Sequence, residues 1–433
     1  VFDRYFSLFG KNRADYYQLH RLDPSYRIYW GKEEWNIPAN YNELKAFFEK
    51  VEPGSSLKLD QFLAEAAYKY EVGINKLVHK PGQSLAEFAD ADLIKGVFRL
   101  DVFNSIKKHI AKLFKSEQLR QLLEFPVLFL GALPENTPAL YSLMNYADIK
   151  GGTWYPEGGM YSIVKAMHKL AVDLGVNFQF NAAATAINIE NKKAKTIAYQ
   201  NTVNGQLETI NADVVIAGAD YHFVETQLLP PAFQSYTQKY WDTRVMAPSC
   251  LLYYVGLNKK LKNIEHHSLF FDTSFAVHGQ EIYTTKKWPV APLFYMSATS
   301  VTDSFVAPQE HENLFLLIPV AAGLTGDTEE LREHYFKMMV ERIEKQTGQS
   351  IKEHIVYKKS YALSNFIEDY HAFKGNAYGL ANTLLQTAVL KPACKSKKVA
   401  NLFYTGQLTV PGPGVPPSLI SGEVVAKLIN KTM

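Results

Sequence analysis

The spacing of apolar residues along the chain predicts several kinds of local structure. Tyr26–Ile37 has two apolar-rich arms on either side of Gly31 and Lys32, which predicts a β-hairpin with glycine first in a type II′ turn. From Tyr41 to Phe114 apolar residues recur at helical spacing, which predicts helices that form a core, a lid over an apolar pocket or a surface against a bilayer. The two helical stripes are Leu44, Phe47, Phe48 and Val51, then Leu93, Ile94, Val97, Phe98, Val102, Ile106, Ile110, Leu113 and Phe114.

The middle of the chain combines one helix with several short strands. Helical spacing from Met160 to Leu174 predicts a helix, and Gly175 follows where a left-handed C-cap belongs. Short apolar runs then predict strands, with Asn204 and Gly205 as a hairpin turn. The predicted strands are Val176–Phe180, Ala186–Glu190, Lys195–Tyr199 and Asp213–Ala217. This order describes half of a nucleotide-binding α/β unit with an inserted β-meander.

The remainder of the chain predicts a sheet with one long helix, and then a strand–loop–helix unit. The long helix is expected over Asp327–Thr347, with Asp327 and Glu330 as a capping box. A strand at Asn401–Thr405 leads through a glycine–proline loop to a helix at Ser418–Lys431. The other predicted strands are Cys250–Leu257, Leu293–Ala298, Glu312–Val320 and Ile355–Lys359. The sheet and the long helix suggest a second, α+β domain.

Composition narrows the class of protein. A length of 433 residues predicts two or three domains, and 47% apolar with 21% charged residues is typical of a globular chain. The 46 basic and 43 acidic residues give a formal net charge of +3. Because a nucleic-acid-binding protein shows a clustered excess of Lys and Arg, no nucleic-acid partner is expected.

The sequence predicts neither a metal site nor a membrane-spanning helix. Cys250 and Cys394 form no CxxC pair and fit a reducing compartment. His266 and His267 are adjacent, so they cannot share one helix face, and there is no HExxH. The longest apolar runs fall short of the ~20 residues that span hydrocarbon, and no signal peptide is visible. We expect a cytoplasmic protein.

A loop near the end of the chain is the best candidate for chemistry. Gly412-Pro413-Gly414-Val415-Pro416-Pro417 lies between a predicted strand and a predicted helix. It imitates GxGxxG, but it ends in proline and no acidic residue follows at the required distance, so it is a weak phosphate loop. Its glycines nevertheless let the backbone approach a ligand. The following helix N-terminus stabilises an anion.

Three segments carry a resemblance to a known family. They read GGTWYPEGGMYSIVKAMHKLAVDLGVNFQFNA from residue 151, ADVVIAGAD from residue 212 and NLFYTGQLTVPGPGVPPSLISGEVVAKLI from residue 401. They resemble the bacterial-type phytoene desaturase (carotenoid desaturase) family of FAD-dependent, amine-oxidase-like flavoproteins. The segments VFDRYFSLFGK and YRIYWGKEEWNIP resemble its early part, so the likeness covers nearly the whole chain.

The resemblance implies a fold of mixed α/β and α+β class. It comprises a discontinuous Rossmann-like FAD-binding domain, an α+β substrate domain and a helical lid region. The implied division assigns 1–150 to the lid region and hairpin, 151–244 and 393–433 to the FAD-binding domain, and 245–392 to the substrate domain. The strands Asn401–Thr405 and Asp213–Ala217 should then share one sheet.

The resemblance also implies cofactor contacts at particular positions. Gly406 and Gln407 should approach the ribityl–pyrophosphate part of FAD. The segment Gly414-Val415-Pro416 should lie along the isoalloxazine, and Ala184 should contact the adenine through its backbone. The alternative is that the glycines serve only as turn residues and Ala184 only as a packing residue. The catalytic residue is unknown: Asp90 and Asp92 are candidates for a base, and a solvated helix face is the alternative for both.

The chain departs from the family pattern in two places. The family begins with a strand–GxGxxG–helix that holds the FAD pyrophosphate, whereas this chain opens at Val1 without one. We therefore expect further sequence before Val1, and we expect this chain alone to bind FAD poorly. The family's THPG reads Thr409-Val410-Pro411-Gly412 here. Any role of that histidine does not carry over to Val410, and the change suggests a subfamily with a different carotenoid substrate.

The implied activity is desaturation of a lipophilic polyene, with phytoene as the expected substrate and oxygen or a quinone as the electron acceptor. The alternatives are a hydroxycarotenoid 3,4-desaturase, a C30 desaturase, a carotene isomerase, a true amine oxidase, or a flavin-free lipid-binding protein with the same pocket. Because the substrate dissolves in lipid, we expect peripheral attachment to a membrane surface. The apolar helices with Lys107, Lys108, Lys112 and Lys115 are the expected contact.

Overall fold

The computed structural model describes residues 1–84, 87, 104–130, 132–383 and 386–432. Its α-helices are α1 (Phe2–Ser7), α2 (Tyr41–Val51), α3 (Ser55–Val72), α4 (Ile106–Leu113), α5 (Glu117–Glu124), α6 (Leu143–Ile149), α7 (Tyr161–Asp173), α8 (Tyr221–Phe223), α9 (Gln238–Asp242), α10 (Phe275–Gln280), α11 (Glu329–Thr347), α12 (Leu363–Tyr370) and α13 (Val415–Thr432). Its strands are β1 (Leu19–Arg21), β2 (Tyr26–Tyr29), β3 (Glu34–Ile37), β4 (Trp154–Pro156), β5 (Ala182–Glu190), β6 (Lys193–Asn201), β7 (Leu207–Asn211), β8 (Val215–Ala217), β9 (Ser249–Leu257), β10 (His267–Phe270), β11 (Phe294–Ser297), β12 (Glu312–Val320), β13 (Ile355–Tyr361) and β14 (Leu402–Tyr404).

A seven-stranded sheet has the order β13-β9-β12-β11-β10-β2-β3. Within it, Leu316 of β12 lies opposite Tyr253 of β9 and Met296 of β11, and both pairings are antiparallel. The pairing of β10 with β2 is parallel. Strands β2 and β3 form the predicted hairpin, in which Gly31 has the φ of 92° that the first position of a type II′ turn requires. The sheet therefore joins the start of the chain to its middle.

The two faces of this sheet pack against different layers. Strand β12 alternates strictly between buried and half-buried residues, as a strand between two layers should. On one face Leu316 and its neighbours pack against helix α11, which contributes Tyr335, Phe336, Met339, Val340 and Ile343. On the other face Leu269 and Leu293 pack with the helices α2 to α5. That second face is the one that carries the pocket described below.

Helix α11 begins differently from its predicted capping box. Thr328 is the N-cap, and its side chain accepts a hydrogen bond from the N–H of Leu331. Asp327 instead accepts two hydrogen bonds from the Arg332 guanidinium, at 2.7 and 2.8 Å. The predicted end is correct, because Gly348 adopts the left-handed conformation of a C-cap at φ 67°. The capping prediction is therefore wrong, because the carboxylate of Asp327 binds the buried Arg332 and does not cap the helix.

A second group of strands is built around a parallel pair. Strands β14 and β8 pair with Phe403 opposite Ile216, as the predicted shared sheet requires. Strands β5, β6 and β7 form the predicted antiparallel meander, with Gly205 at φ 74° in its second turn. Asn401 joins the two units: its amide donates to the carbonyls of Ala194 and Asp213, and its oxygen accepts from the Ala194 N–H. Helix α13 packs on this group through Val424 and other residues.

The predicted strand Val176–Phe180 is wrong. These residues have no regular secondary structure, although the predicted helix and its left-handed Gly175 are present just before them. Val176 and Phe180 are 49% and 70% exposed. A strand needs a partner for its backbone groups, and within the described residues no strand pairs with this segment.

The described part of the helical region packs in a core. Ile106 and Ile110 of α4, and Phe114 after it, are fully buried against α3 and α5. The apolar face of α4 is therefore covered, and the contact of this region with a membrane stays a prediction. The part of the second stripe from Leu93 to Val102 lies outside the described residues. Among the residues that are described, no helix is both long and apolar enough to cross a bilayer.

Candidate active site

The loop between β14 and α13 is held in an open, glycine-dependent shape. Gly406, Gly412 and Gly414 have φ values of 105°, 141° and 109°, a region that residues with a side chain rarely adopt. The Ser421 hydroxyl on α13 anchors the start of the loop: it accepts from the Gly406 N–H at 2.8 Å and lies 2.6 Å from the Thr405 hydroxyl. A side chain at position 406 would enter open space. The loop therefore leaves its backbone accessible beside a fixed helix end.

Helix α13 begins at Val415, three residues before the predicted start. Pro416 and Pro417 lie inside its first turn and have no N–H, and the N–H of Ser418 bonds to the carbonyl of Gly414 at 2.9 Å. The first turn of α13 therefore presents fewer N–H groups to a ligand than an ordinary helix N-terminus. The N–H of Val415 and the helix dipole remain as its electropositive features.

Two antiparallel linker segments pass beneath this loop. The N–H of Ala247 bonds to the carbonyl of Gly379 at 2.8 Å, and the N–H of Ala381 bonds to the carbonyl of Val245 at 3.0 Å. A Cβ at Gly379 would lie only 2.7 Å from the carbonyl oxygen of Gln407, so glycine is needed where the linker meets the loop. The segment 378–382 thus lies directly against the C-terminal loop.

An apolar pocket also borders this linker. Tyr378 lines it together with residues of the sheet face, the helix α10 and the short helical turns at 125–130 and 281–285. The other lining residues are Phe125, Leu128, Pro248, Leu269, Phe271, Phe275, His278, Gly279, Ile282, Tyr283, Leu293, Phe294, Tyr295, Leu317 and Pro319. The pocket and the loop therefore border the same stretch of chain.

The polar groups of the pocket are occupied by internal hydrogen bonds. His278 donates from Nε2 to the carbonyl of Pro319 and accepts at Nδ1 from the N–H of Leu293, both at 3.0 Å. Burial lowers the pKa of His278 to about 4, so the ring is neutral. The Tyr283 hydroxyl donates to the carbonyl of Leu128, and the Tyr295 hydroxyl bonds to Nδ1 of His267. The pocket presents a hydrocarbon surface.

Comparison with known proteins agrees with this arrangement. The profile of a family described as flavin containing amine oxidoreductases matches residues 4–430. A carotenoid 3,4-desaturase of Haloarcula japonica is 36% identical over 431 residues, which are 99% of this chain and 86% of that protein. The chain belongs to the flavin containing amine oxidoreductase family. A zeta-carotene-forming phytoene desaturase of Myxococcus xanthus is 26% identical and covers 99% of this chain and 82% of that protein.

Solved structures of this fold confirm the predicted fold class. An oxidoreductase from Methanosarcina mazei superposes with a TM-score of 0.59 at 13% identity, over 96% of this chain and 82% of that one. Cyclohexylamine oxidase from Brevibacterium oxydans superposes with a TM-score of 0.51 at 10% identity, over 99% and 85%. At such identities the likeness concerns the fold alone. Family membership also confirms the prediction of a flavin cofactor, FAD.

The residues present fit FAD, as expected of a flavin containing amine oxidoreductase. The open space at Gly406 leaves its backbone accessible to a ligand. Within the described chain, two buried polar atoms near Gly412 have no hydrogen-bond partner: Nζ of Lys391 and Oδ1 of Asn382. Buried polar atoms without partners are rare, and each indicates a missing ligand or water. Such a receptor suits the polar edge of a flavin ring.

The structure brings most of the predicted site residues together. Gly406, Gln407, Gly414, Val415 and Pro416 all lie in the C-terminal loop or the first turn after it. The side chain of Gln407 donates to Oδ1 of Asn376 at 3.0 Å, which leaves its main chain for a cofactor contact.

Ala184 lies in a different sheet from the loop. It is an exposed residue of β5, the outer strand of the meander, and pairs with Tyr199 of β6. Its contact with adenine remains a prediction, as do the contacts of the loop residues.

Some candidates were not predicted, and others cannot be placed. Asp90 and Asp92 lie outside the described residues. The sequence analysis did not identify Lys391, Asn382 or Ser421. Lys391 and Asn382 belong to no recognisable motif. Ser421 lies within the segment from residue 401 that carries the family resemblance, about one helical turn after Pro417, so its position was the one available signal.

Proposed function

We propose that the protein is an FAD-dependent carotenoid desaturase. It would remove two hydrogens across a saturated C–C bond that is flanked by double bonds. Phytoene is the substrate first expected. The higher identity to a carotenoid 3,4-desaturase, together with Val410 in place of the family's histidine, supports a hydroxylated carotenoid desaturated at the 3,4 bond as the second candidate.

One observation carries this proposal. The apolar pocket and the glycine loop both contact the linker 378–382, with Tyr378 in the pocket, Gly379 against Gln407 and Asn382 against Gly412. A polyene held in the pocket would therefore lie next to a flavin held by the loop. Apolar lining with a few fixed polar groups is the usual composition of a site for a lipophilic ligand.

The residues of the pocket would act by binding and orienting the substrate. Bound FAD would supply the redox chemistry, as the acceptor of the hydrogens. Neutral His278 uses both ring nitrogens in hydrogen bonds, so it offers no free lone pair to a substrate proton. Burial raises the pKa of Tyr295 to about 12 and raises that of Tyr378 further, so both remain protonated. Stacked aromatic and aliphatic side chains such as Phe271 and Leu317 would exclude water and hold the polyene straight.

The alternative activities make different demands on the same pocket. An amine oxidase must accommodate a cationic amine. The described lining residues include aromatic rings, whose faces bind cations, but no carboxylate, so turnover of an amine against turnover of a carotenoid distinguishes the two activities. A flavin-free lipid carrier would need the pocket but not the loop. In such a carrier Lys391 and Asn382 would have no ligand to pair with, and an unpaired buried charge destabilises a protein. This second point favours a flavin enzyme.

Expression of the complete gene in cells that accumulate phytoene or a hydroxylated carotenoid tests the activity. New double bonds lengthen the chromophore, so products are identified by chromatography and absorption spectra. We expect desaturated products from one of the two strains. Unchanged pigments in both strains, from a protein that holds FAD, would contradict the proposal.

A pocket-filling variant tests where the substrate binds. Gly279 of α10 lines the pocket, so Gly279→Leu adds a bulky side chain to the pocket wall, and Cδ2 of Leu133, which lies 2.6 Å from a Cβ built at this position, would have to move. We expect turnover to fall more than tenfold while bound flavin is retained. Gly422→Leu is the control, because position 422 is an exposed helical site with open space around it. Normal turnover in Gly279→Leu would show that the substrate does not bind in this pocket.

We also propose the domain division and the peripheral membrane attachment that the sequence suggests. The seven-stranded sheet draws on residues 26–37 and 249–361, and the parallel pair with its meander draws on 182–217 and 402–432. This distribution supports the division. The segment 275–292 is a better candidate for membrane contact than α4, because it lines the pocket and exposes Val277 and Val290 to solvent.

A further inference from the structure

Lys391 is a buried lysine without a partner. Lys391 is only 4% exposed. Its Nζ makes no hydrogen bond or ion pair within the part of the chain that the structure describes. Burial alone lowers the pKa of Lys391 to about 8, and no carboxylate counteracts it. The burial of this unpaired ammonium therefore destabilises the folded protein unless a ligand pairs with it.

Lys391 and Asn382 converge on Gly412 of the C-terminal loop. A Cβ built on Gly412 would lie 3.3 Å from Nζ of Lys391 and 3.0 Å from Oδ1 of Asn382. Only glycine lets both polar groups approach the loop this closely, and the φ of 141° at Gly412 also favours glycine. Oδ1 of Asn382 is itself buried and unpartnered. Two orphaned groups of complementary type, a cationic donor and an acceptor, thus face the same spot.

Three other groups of the described chain in this part of the fold are apolar, neutral or already paired. The Val410 side chain is buried in the cluster that includes Cys394 and Phe403. Burial raises the pKa of the Cys394 thiol to about 11, so it stays neutral. The nearby Glu87 carboxylate accepts from the N–H groups of Gly82, Gln83 and Ser84 and is occupied by that turn. The ammonium of Lys391 is therefore available to pair with a bound ligand.

We propose that Lys391 and Asn382 form the receptor for the pyrimidine edge of the flavin ring, with Lys391 as the group that sets the flavin's reduction potential. This inference rests on the proposed binding of FAD at the C-terminal loop. That ring edge carries two carbonyl oxygens that accept hydrogen bonds and one N–H that donates. Lys391 donates and Oδ1 of Asn382 accepts, so the two sets are complementary. Reduced flavin carries negative charge at this edge, and a buried cation stabilises it more than it stabilises the oxidised form.

The reduction potential of the bound flavin tests this role directly. In the FAD-loaded protein we expect Lys391→Met to shift the equilibrium between oxidised and reduced flavin about tenfold towards the oxidised form, which is a potential about 30 mV lower for a two-electron couple. Lys397→Met is the matched control, because it removes the same charge from an exposed position six residues away. Its potential should equal that of the unaltered protein. An unchanged potential in Lys391→Met, with flavin still bound, would overturn the inference and leave the desaturase proposal intact.

The melting temperature of the flavin-free protein provides a second measurement that does not depend on bound flavin. Removal of an unpartnered buried charge should raise the melting temperature of the apoprotein in Lys391→Met, whereas the rise on adding FAD should become smaller. A lysine that served only to hold the fold would give the opposite result, a lower melting temperature of the apoprotein, and would overturn the inference. If the protein expressed from the complete gene binds no FAD, the desaturase proposal fails together with it.

Discussion

At the scale of single residues, Gly414 is the position where the loop meets the first turn of α13. Its φ is 109°, and a Cβ would lie 3.3 Å from Cδ of Pro417. We expect Gly414→Val to strain the backbone and displace the helix end that is proposed to stabilise reduced flavin, an effect worth ~0.3–1 kcal/mol for the dipole alone and up to ~2 when partly buried. The variant should fold but lose bound FAD and desaturation together. Flavin absorbance per mole of purified protein measures the first loss.

Gly205→Val is the control for this backbone strain. Gly205 also has a positive φ, 74°, but it lies in the turn of the meander, and the nearest atom to its Cβ is Nε2 of Gln200 at 3.9 Å. The control should lose stability and keep its flavin. Full flavin occupancy and normal turnover in Gly414→Val would show that the loop is not part of the cofactor site.

The site glycines could be predicted from sequence, but the polar groups facing them could not. Gly406, Gly412 and Gly414 belong to a local strand–loop–helix pattern, and local patterns are what a sequence displays. Lys391 and Asn382 reach Gly412 from outside that pattern, because the linker 378–382 folds beneath the loop. Their contact depends on how two distant segments pack, and neither residue type is unusual in isolation.

At the scale of secondary-structure elements, Asp327 links the start of α11 to the neighbouring elements. Its carboxylate binds Arg332 through two hydrogen bonds and accepts from the N–H of Ser364, while Arg332 also reaches the hydroxyl of Ser360. Both charged side chains are less than one-tenth exposed. Asp327→Asn leaves the guanidinium without its counter-charge, so we expect a loss of roughly 3 kcal/mol in the free energy of unfolding. Thermal or denaturant unfolding measures it.

The pH dependence of this loss identifies its cause. Burial raises the pKa of Asp327, but the hydrogen bonds from Arg332 and Ser364 outweigh that effect and hold the pKa below its usual value. A lowered pKa gives stability that is present above the unfolded pKa and disappears as the pH falls through the folded one. The difference between Asp327→Asn and the unaltered protein should therefore shrink below about pH 4. Glu329→Gln, an exposed neighbour, should change stability little at any pH.

Sequence patterns predicted the elements whose residues alone define them. They failed where an element forms only if a neighbouring strand pairs with it. Strand β12 was predicted with its observed bounds because it contains an unbroken apolar run, Leu314–Ile318, which is typical of a strand buried between two layers. Val176–Phe180 alternates apolar and polar residues but remains unpaired, and a pattern cannot show whether a neighbouring strand exists. Helix α13 was predicted from Ser418 but begins at Val415, so that Pro416 and Pro417, which are tolerated in a first turn, lie inside it.

At the scale of the whole molecule, the proposed function depends on two regions that share one linker. The sheet face and its helical cover create the pocket, whereas the β8–β14 pair and α13 present the loop. The pairing of 245–247 with 379–381 connects both, and the sequence showed neither this pairing nor the pocket. A lipid-dissolved substrate must enter this pocket from one side, and the segment 275–292 is the part of its wall that also faces outward.

The last prediction concerns that entrance. Phe275 and Ile282 of the segment face the pocket, whereas Val277 and Val290 are 50% and 71% exposed near Lys286 and Lys287. Exposed apolar residues beside basic ones suit contact with an anionic bilayer. We expect the FAD-loaded protein to float with vesicles containing anionic phospholipid.

The double variant Val277→Asp, Val290→Asp should lose this binding and turn over vesicle-dissolved carotenoid at least tenfold more slowly, yet keep its flavin and its activity on detergent-solubilised substrate. Val203→Asp with Val356→Asp, two valines that are 77% and 58% exposed elsewhere, is the matched control and should still bind. If the first double variant floats as well as the control, membrane contact lies on another surface; if the unaltered protein does not float at all, the attachment itself is refuted.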